Sequence, residues 1–166
     1  MSWLVDRSKK KRTDAEWRIR ALAVHDRLVA RALELAGGGR LEMEDGFDLR
    51  FDLVVLFVSR TLYALNNRGD QGRRLQQALW DALFEGLDHS LRQRGVNDIR
   101  MAPRMRRLFR DATGRRDAYL AAWRDGDDPA IRRAVGRNVL NGAAGDDPRV
   151  AVIIAEFEWA DGLLTK

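Results

Sequence analysis

Glu85 and His89 stand four residues apart, with Asp81 and Asp88 close by. On a helix that spacing puts carboxylates and an imidazole on one face, where they could ligate a metal. His25 and His89 are the only histidines, and no second ligand-bearing helix is evident. The stripe therefore reads as a solvated acidic face with Asp88 and Arg92 as a helical ion pair, and no metal is expected. Catalysis fares no better. The chain has no cysteine, no glycine-rich loop after a strand, and no Ser/His/Asp spacing. Neither a cofactor nor an enzyme activity is expected.

The arginines are the stronger chemical signal. Residues 90–116 hold nine of them against Asp98 and Asp111. Arg104, Arg106, Arg107, Arg110, Arg115 and Arg116 occupy more than one helical face, and their forked donors suit phosphate and carboxylate. Two readings stay open and are compatible: a surface for RNA, ribosome or anionic lipid, or a solvated face paired internally with Asp81, Glu85 or Asp88. A second basic cluster, Arg7 with Lys9, Lys10, Lys11 and Arg12, follows Trp3, Leu4 and Val5. It reads as a disordered tail over 1–12 or as a weak membrane or ribosome tether.

The elements that must carry these residues are helices. Thr13-Asp-Ala-Glu16 has the form of a capping box and predicts a helix start, with Gly37-Gly-Gly39 as its stop. The apolar run 53–58 could be a buried strand, but its continuation through Tyr63 and Leu65 favours a buried helix. Leu75, Leu79, Leu83, Leu87 and Leu91 recur every four residues beside Trp80 and Phe84, which predicts a helix over 71–94 closed by Gly95 and Val96. Pro103 suits a helix first turn, and Gly114 is expected to interrupt that helix before another through Tyr119 and Trp123. Further helices are predicted over 130–140 and 149–159. The sum is an all-α, single-domain bundle of about seven helices, with a basic tail over 1–12 and a helical domain over 13–166.

Composition bounds the partners. The 166 residues carry a net charge of +5 and a pI near 10.2, which favours anionic partners. No apolar run approaches the ~18–20 residues needed to span a bilayer, and the first residues do not read as a signal peptide. A cytoplasmic chain is expected, in peripheral contact with the inner membrane. No DNA-reading motif is present, and DNA is not an expected partner.

Several segments together resemble a known family. They are Phe51-Asp-Leu-Val-Val-Leu-Phe57, Leu79-Trp-Asp-Ala-Leu-Phe84, Leu87-Asp-His-Ser-Leu-Arg92, Gly95-Val96, Asp98, Arg104-Met105, Phe109, Gly114-Arg115, Ala118-Tyr119 and Asp127-Asp-Pro-Ala130. Their order and spacing resemble the ubiquinol–cytochrome c chaperone family over residues 13–141, in its bacterial form. The resemblance implies an all-helical assembly chaperone of the bc1 complex. Its client would be newly made cytochrome b, with a small helical partner protein and the ribosome as further partners. The residues expected to touch client or partner are Trp80, Asp81, Phe84, Asp88, Arg92, Arg104, Arg106, Arg107, Arg115 and Tyr119, with Trp80, Phe84 and Leu87 as a groove wall. The alternative is a basic RNA- or ribosome-binding module without a membrane-protein client.

Overall fold

A computed structural model describes residues 2–164, with side chains from Thr13 onward. All regular structure among them is helical: α1 (Ser2–Gly37), α2 (Phe47–Leu65), α3 (Gly69–Gln93), α4 (Asp98–Arg124), α5 (Asp128–Val139), α6 (Pro148–Ile154) and the six-residue helix α7 (Phe157–Gly162).

The buried helix α2 is the axis of the bundle, packing against α1, α3, α4, α5 and α7. Leu53, Val55, Leu56, Phe57 and Val58 are fully enclosed. The strand alternative for this run falls away because neighbours cover the helix on every side, where β-branched side chains pack as well as any. Its buried hydroxyls are satisfied within the helix, Ser59 donating to the Val55 carbonyl at 2.6 Å and Thr61 to that of Phe57 at 3.0 Å. One hydrophobic cluster runs from Ala21 to Leu164 through all seven helices.

Capping residues explain most of the boundaries. Gly95, at φ +78°, ends α3 in a Schellman motif, with Val96 N–H donating to Leu91 and Gly95 N–H to Arg92. Asp127 accepts from the Ala130 N–H at the start of α5, and Asp147 from the Arg149 N–H at the start of α6.

Four expectations are corrected. Helix α1 extends back to Ser2, so Thr13 and Glu16 lie inside it rather than at its start; a continuing helix supplies carbonyls to the N–H groups that a cap would serve. The side chains of Trp3 and of the basic cluster over 7–12 lie outside the described residues. Gly114 does not interrupt α4, since buried Leu108, Ala112 and Tyr119 anchor that helix on both sides of it. Pro103 sits in the second turn rather than the first. There its missing N–H leaves the carbonyl of Ile99 without a helical partner, in an exposed turn that water reaches. The expected helix over 149–159 is two short helices that turn at Glu156. This buried acid accepts from Arg31 at 2.7 Å and Arg40 at 3.1 Å, tying the turn to α1 and to the segment that follows it.

Candidate functional site

Two concave regions meet at Phe47, at the start of α2. The first is an apolar groove of 340 Å³ between α1, α2 and α3, lined by Val29, Leu33, Phe51, Val54, Leu83 and Leu87. Leu33 is 40 % exposed along it. Arg50, Gln93 and Arg94 rim one end. His25 closes the floor against Gly86, where any Cβ would come within 2.7 Å of the imidazole. Burial holds His25 below its ordinary pKa, although Asp26 and Glu85 pull it back up. A neutral imidazole on a groove floor keeps the floor compatible with apolar occupants.

The second region is a polar cavity of 520 Å³ between α2, α4 and α5. Arg104, Arg107, Arg115 and Arg137 line it together with Asp48, Asp52 and Asp111. Asp52 of α2 and Arg115 of α4 form its base, 2.9 Å apart, with the Asp52 side chain only 9 % exposed. Neither Asp52 Oδ1 nor Arg115 Nε makes a well-directed hydrogen bond. Burial pushes the Asp52 carboxyl up to about 7 against the pull of Arg115, and Asp48 and Asp111 push it the same way. The Phe47 ring is the partition between the two regions. Arg94 lies 5.2 Å from its centroid and Arg104 5.4 Å.

The sequence-predicted residues do not form one surface. Leu87 lines the groove, but Trp80 and Phe84 lie on the edge of α3 that turns to α4. Adjacent helical residues are about 100° apart, so a four-residue repeat spreads over more than one neighbour. Trp80 is buried under Arg116, 4.4 Å from its ring. Phe84 packs on Phe109 at 5.0 Å, and Phe109 stays half exposed. Tyr119 is fully buried, its hydroxyl accepting from Asn138 at 3.2 Å, so it has no surface to offer a client in this fold. Asp81 accepts from Gln77 on the solvent side of α3. Asp88 pairs with Arg92 at 2.8 Å as the spacing predicts, and Arg92 also reaches Asp98 at 2.8 Å.

Of the arginines expected to pair with α3 acids, none of those from 104 to 116 does so. Glu85 takes Arg18 of α1 instead, at 2.5 Å. Arg107 and Arg110 share Asp111 at 3.8 and 3.9 Å, Arg115 takes Asp52, and Arg116 takes Asp117. Arg106 is exposed and has no ion-pair partner among the described residues. His89 approaches Gln93 at 2.9 Å while Glu85 holds Arg18, so the two residues weighed as metal ligands face separate neighbours.

A family model for the ubiquinol–cytochrome c chaperone matches residues 39–158, most of the chain. The chain belongs to the ubiquinol–cytochrome c chaperone family. The match takes in α2 to α6 and reaches Glu158 in α7, beyond residue 141 where the resemblance in the sequence ended, and it leaves α1 outside. The crystal structure of the Cbp3 homolog from Brucella abortus shares the fold of this chaperone-family chain, with a TM-score of 0.71 and 24 % identity over 98 % of this chain and 88 % of that one. Comparison with curated proteins gives no match. Both concave regions fall largely within the family match; the α1 wall of the groove is the exception.

Asp52, Arg137, Asn138, Asn141 and Phe47 line these regions but were not among the residues expected to touch client or partner. Asp52 carried a usable signal, an acid between Phe51 and six consecutive apolar residues. The others come from separate helices and loops and meet only in the fold.

Proposed function

We propose that this chain is an assembly chaperone for the ubiquinol–cytochrome c reductase (bc1) complex and that it holds newly made cytochrome b. The observation that carries this reading is the family match over residues 39–158. The apolar groove supports it. A membrane-protein segment outside its membrane needs apolar cover, and an open groove between helices supplies it. Leu33, Phe47 and Leu87 would make that cover, and Arg50 and Arg94 would meet polar loops at the rim. No helix among the described residues is long and apolar enough to cross a membrane, so the chain would meet its client from the membrane surface.

The opposite side, with Phe109 half exposed and Arg106 and Arg107 nearby, is the surface we assign to a small helical partner, a ribosome or anionic lipid. Asp81, Asp88 and Arg92 would border it from α3. Trp80 and Arg115 would support these surfaces from beneath rather than touch the client.

The test is co-purification from the native host, together with deletion of the gene. Cytochrome b should come down with the chain, and bc1 complex should be lost in the deletion strain. Unchanged bc1 levels would end the chaperone reading. Recovery of ribosomal RNA without cytochrome b would favour a basic RNA- or ribosome-binding module instead. Leu33→Asp should abolish client recovery without unfolding the protein.

A further inference from the structure

The cavity between α2, α4 and α5 has more built-in chemistry than a structural ion pair requires. Arg115 alone would neutralise Asp52. Three further guanidiniums, those of Arg104, Arg107 and Arg137, line the same space with two further carboxylates, Asp48 and Asp111, the second of which is shared by Arg107 and Arg110. Arg104 and Arg137 have no carboxylate partner among the described residues. Arg104 is held only over the Phe47 ring, and Arg137 donates to the neighbouring Asn138 side chain at 3.2 Å. These two guanidiniums therefore keep donors available to an incoming anion.

The base of the cavity is closed by the Asp52–Arg115 ion pair. Asp52 is more than nine-tenths buried and lines the space, yet its Oδ1 and the facing Arg115 Nε lack well-directed hydrogen bonds. At 520 Å³ the space falls within the roughly 300–1,000 Å³ of ordinary ligand sites. Phe51 and Leu108 give it an apolar side that strengthens any charge contact made there.

The geometry points to a binding site in this cavity for a small free oxyanion bearing phosphate or carboxylate oxygens, gripped by Arg104 and Arg137 across the α4–α5 gap. The forked donors of these two side chains match such oxygens two at a time. An anion held there links three helices, so the folded protein gains stability with ligand concentration. The site is separate from the client groove and does not depend on the chaperone reading.

The experiment is titration of the full chain with inorganic phosphate and, separately, with citrate, read by calorimetry and by the thermal midpoint. Saturable one-site binding by at least one of them is expected, with a rise in Tm. Arg104→Gln and Arg137→Gln should each weaken it by roughly tenfold. Arg137→Lys should fall between, because it keeps the charge but loses the fork. Arg110→Gln makes the same charge change outside the cavity and should leave the affinity unchanged. Absence of saturable binding by both anions would overturn the site. So would equal weakening by Arg110→Gln, which would mark the binding as general attraction to a basic surface. Client co-purification is a separate readout, and its loss or survival does not bear on this result.

Discussion

The two sides of Phe47 solve opposite problems with the same helix. Toward α1 and α3, α2 presents Phe51 and Val54 to a groove whose one titratable floor residue, His25, is held neutral. Toward α4 and α5, one residue further along, it presents Asp52 to a ring of arginines. The first side excludes charge, and the second concentrates it. The difference teaches that a central helix buried on all sides need not be apolar on all sides, provided that each charge it carries finds an opposite charge.

The comparison breaks most sharply at Asp52. Replacing it with alanine leaves the Arg115 guanidinium, which cannot shed its proton, without its acid, and should cost about 3 kcal/mol or more in denaturant unfolding. Arg115→Met should cost clearly less at neutral pH, because a carboxyl already pushed up to about 7 can take up a proton instead. Equal costs would mean that the pair is not asymmetric in this way.

Phe47→Ala comes next. It removes the partition and both guanidinium–ring contacts, and should cost about 2 kcal/mol. It should also weaken client recovery and anion binding together, which no change on one side alone should do.

The pH dependence separates the sides by sign. The folded Asp52 carboxyl keeps its proton to about pH 7 against an ordinary value of 3.8. Folding therefore takes up a proton between those values, and stability from this residue falls as pH rises through them. His25 runs the other way. Its folded pKa lies below 6.5, so the unfolded chain binds the proton more readily and stability falls as pH drops below that value. Relative to the parent chain, Asp52→Asn should gain thermal stability on going from about pH 5 to about pH 8. His25→Gln should gain it in the reverse direction. Parallel slopes for the two variants would show that the two sites do not differ as described.

The smallest effect should come from Arg106→Ala, which leaves the fold within about 0.5 kcal/mol. Any loss of partner binding in that variant is then a surface effect.

Much of the frame was legible because it is written locally. Gly95 with Val96, Asp127 and Asp147 act within a few residues of themselves, and each closes or opens a helix as its type demands. The Asp88–Arg92 pair is local too. Thr13 and Glu16 misled for the same reason. A capping box is a four-residue pattern, and nothing in four residues shows whether a helix continues upstream. Gly114 misled because its cost of about 1 kcal/mol is small beside what buried Leu108 and Tyr119 contribute on either side of it. The site was less legible than the frame. Trp80, Phe84 and Leu87 share a repeat but face different neighbours. Arg137, Asn138 and Asn141 lie far along the chain from Asp52, and only the crossing of α5 over α2 brings them together. Tyr119 entered the expected surface only through the family resemblance, and its hydroxyl meets Asn138 inside the fold instead.

The contacts of Glu156 with Arg31 and Arg40 span 125 and 116 residues of sequence. At a synthesis rate of roughly 5–20 residues per second, the two arginines wait on the order of ten seconds for their acid. Helix α1 thus receives this clasp long after its own residues are made. During that interval the wall that α1 gives to the groove packs on α2 and α3 without the clasp that Glu156 later supplies.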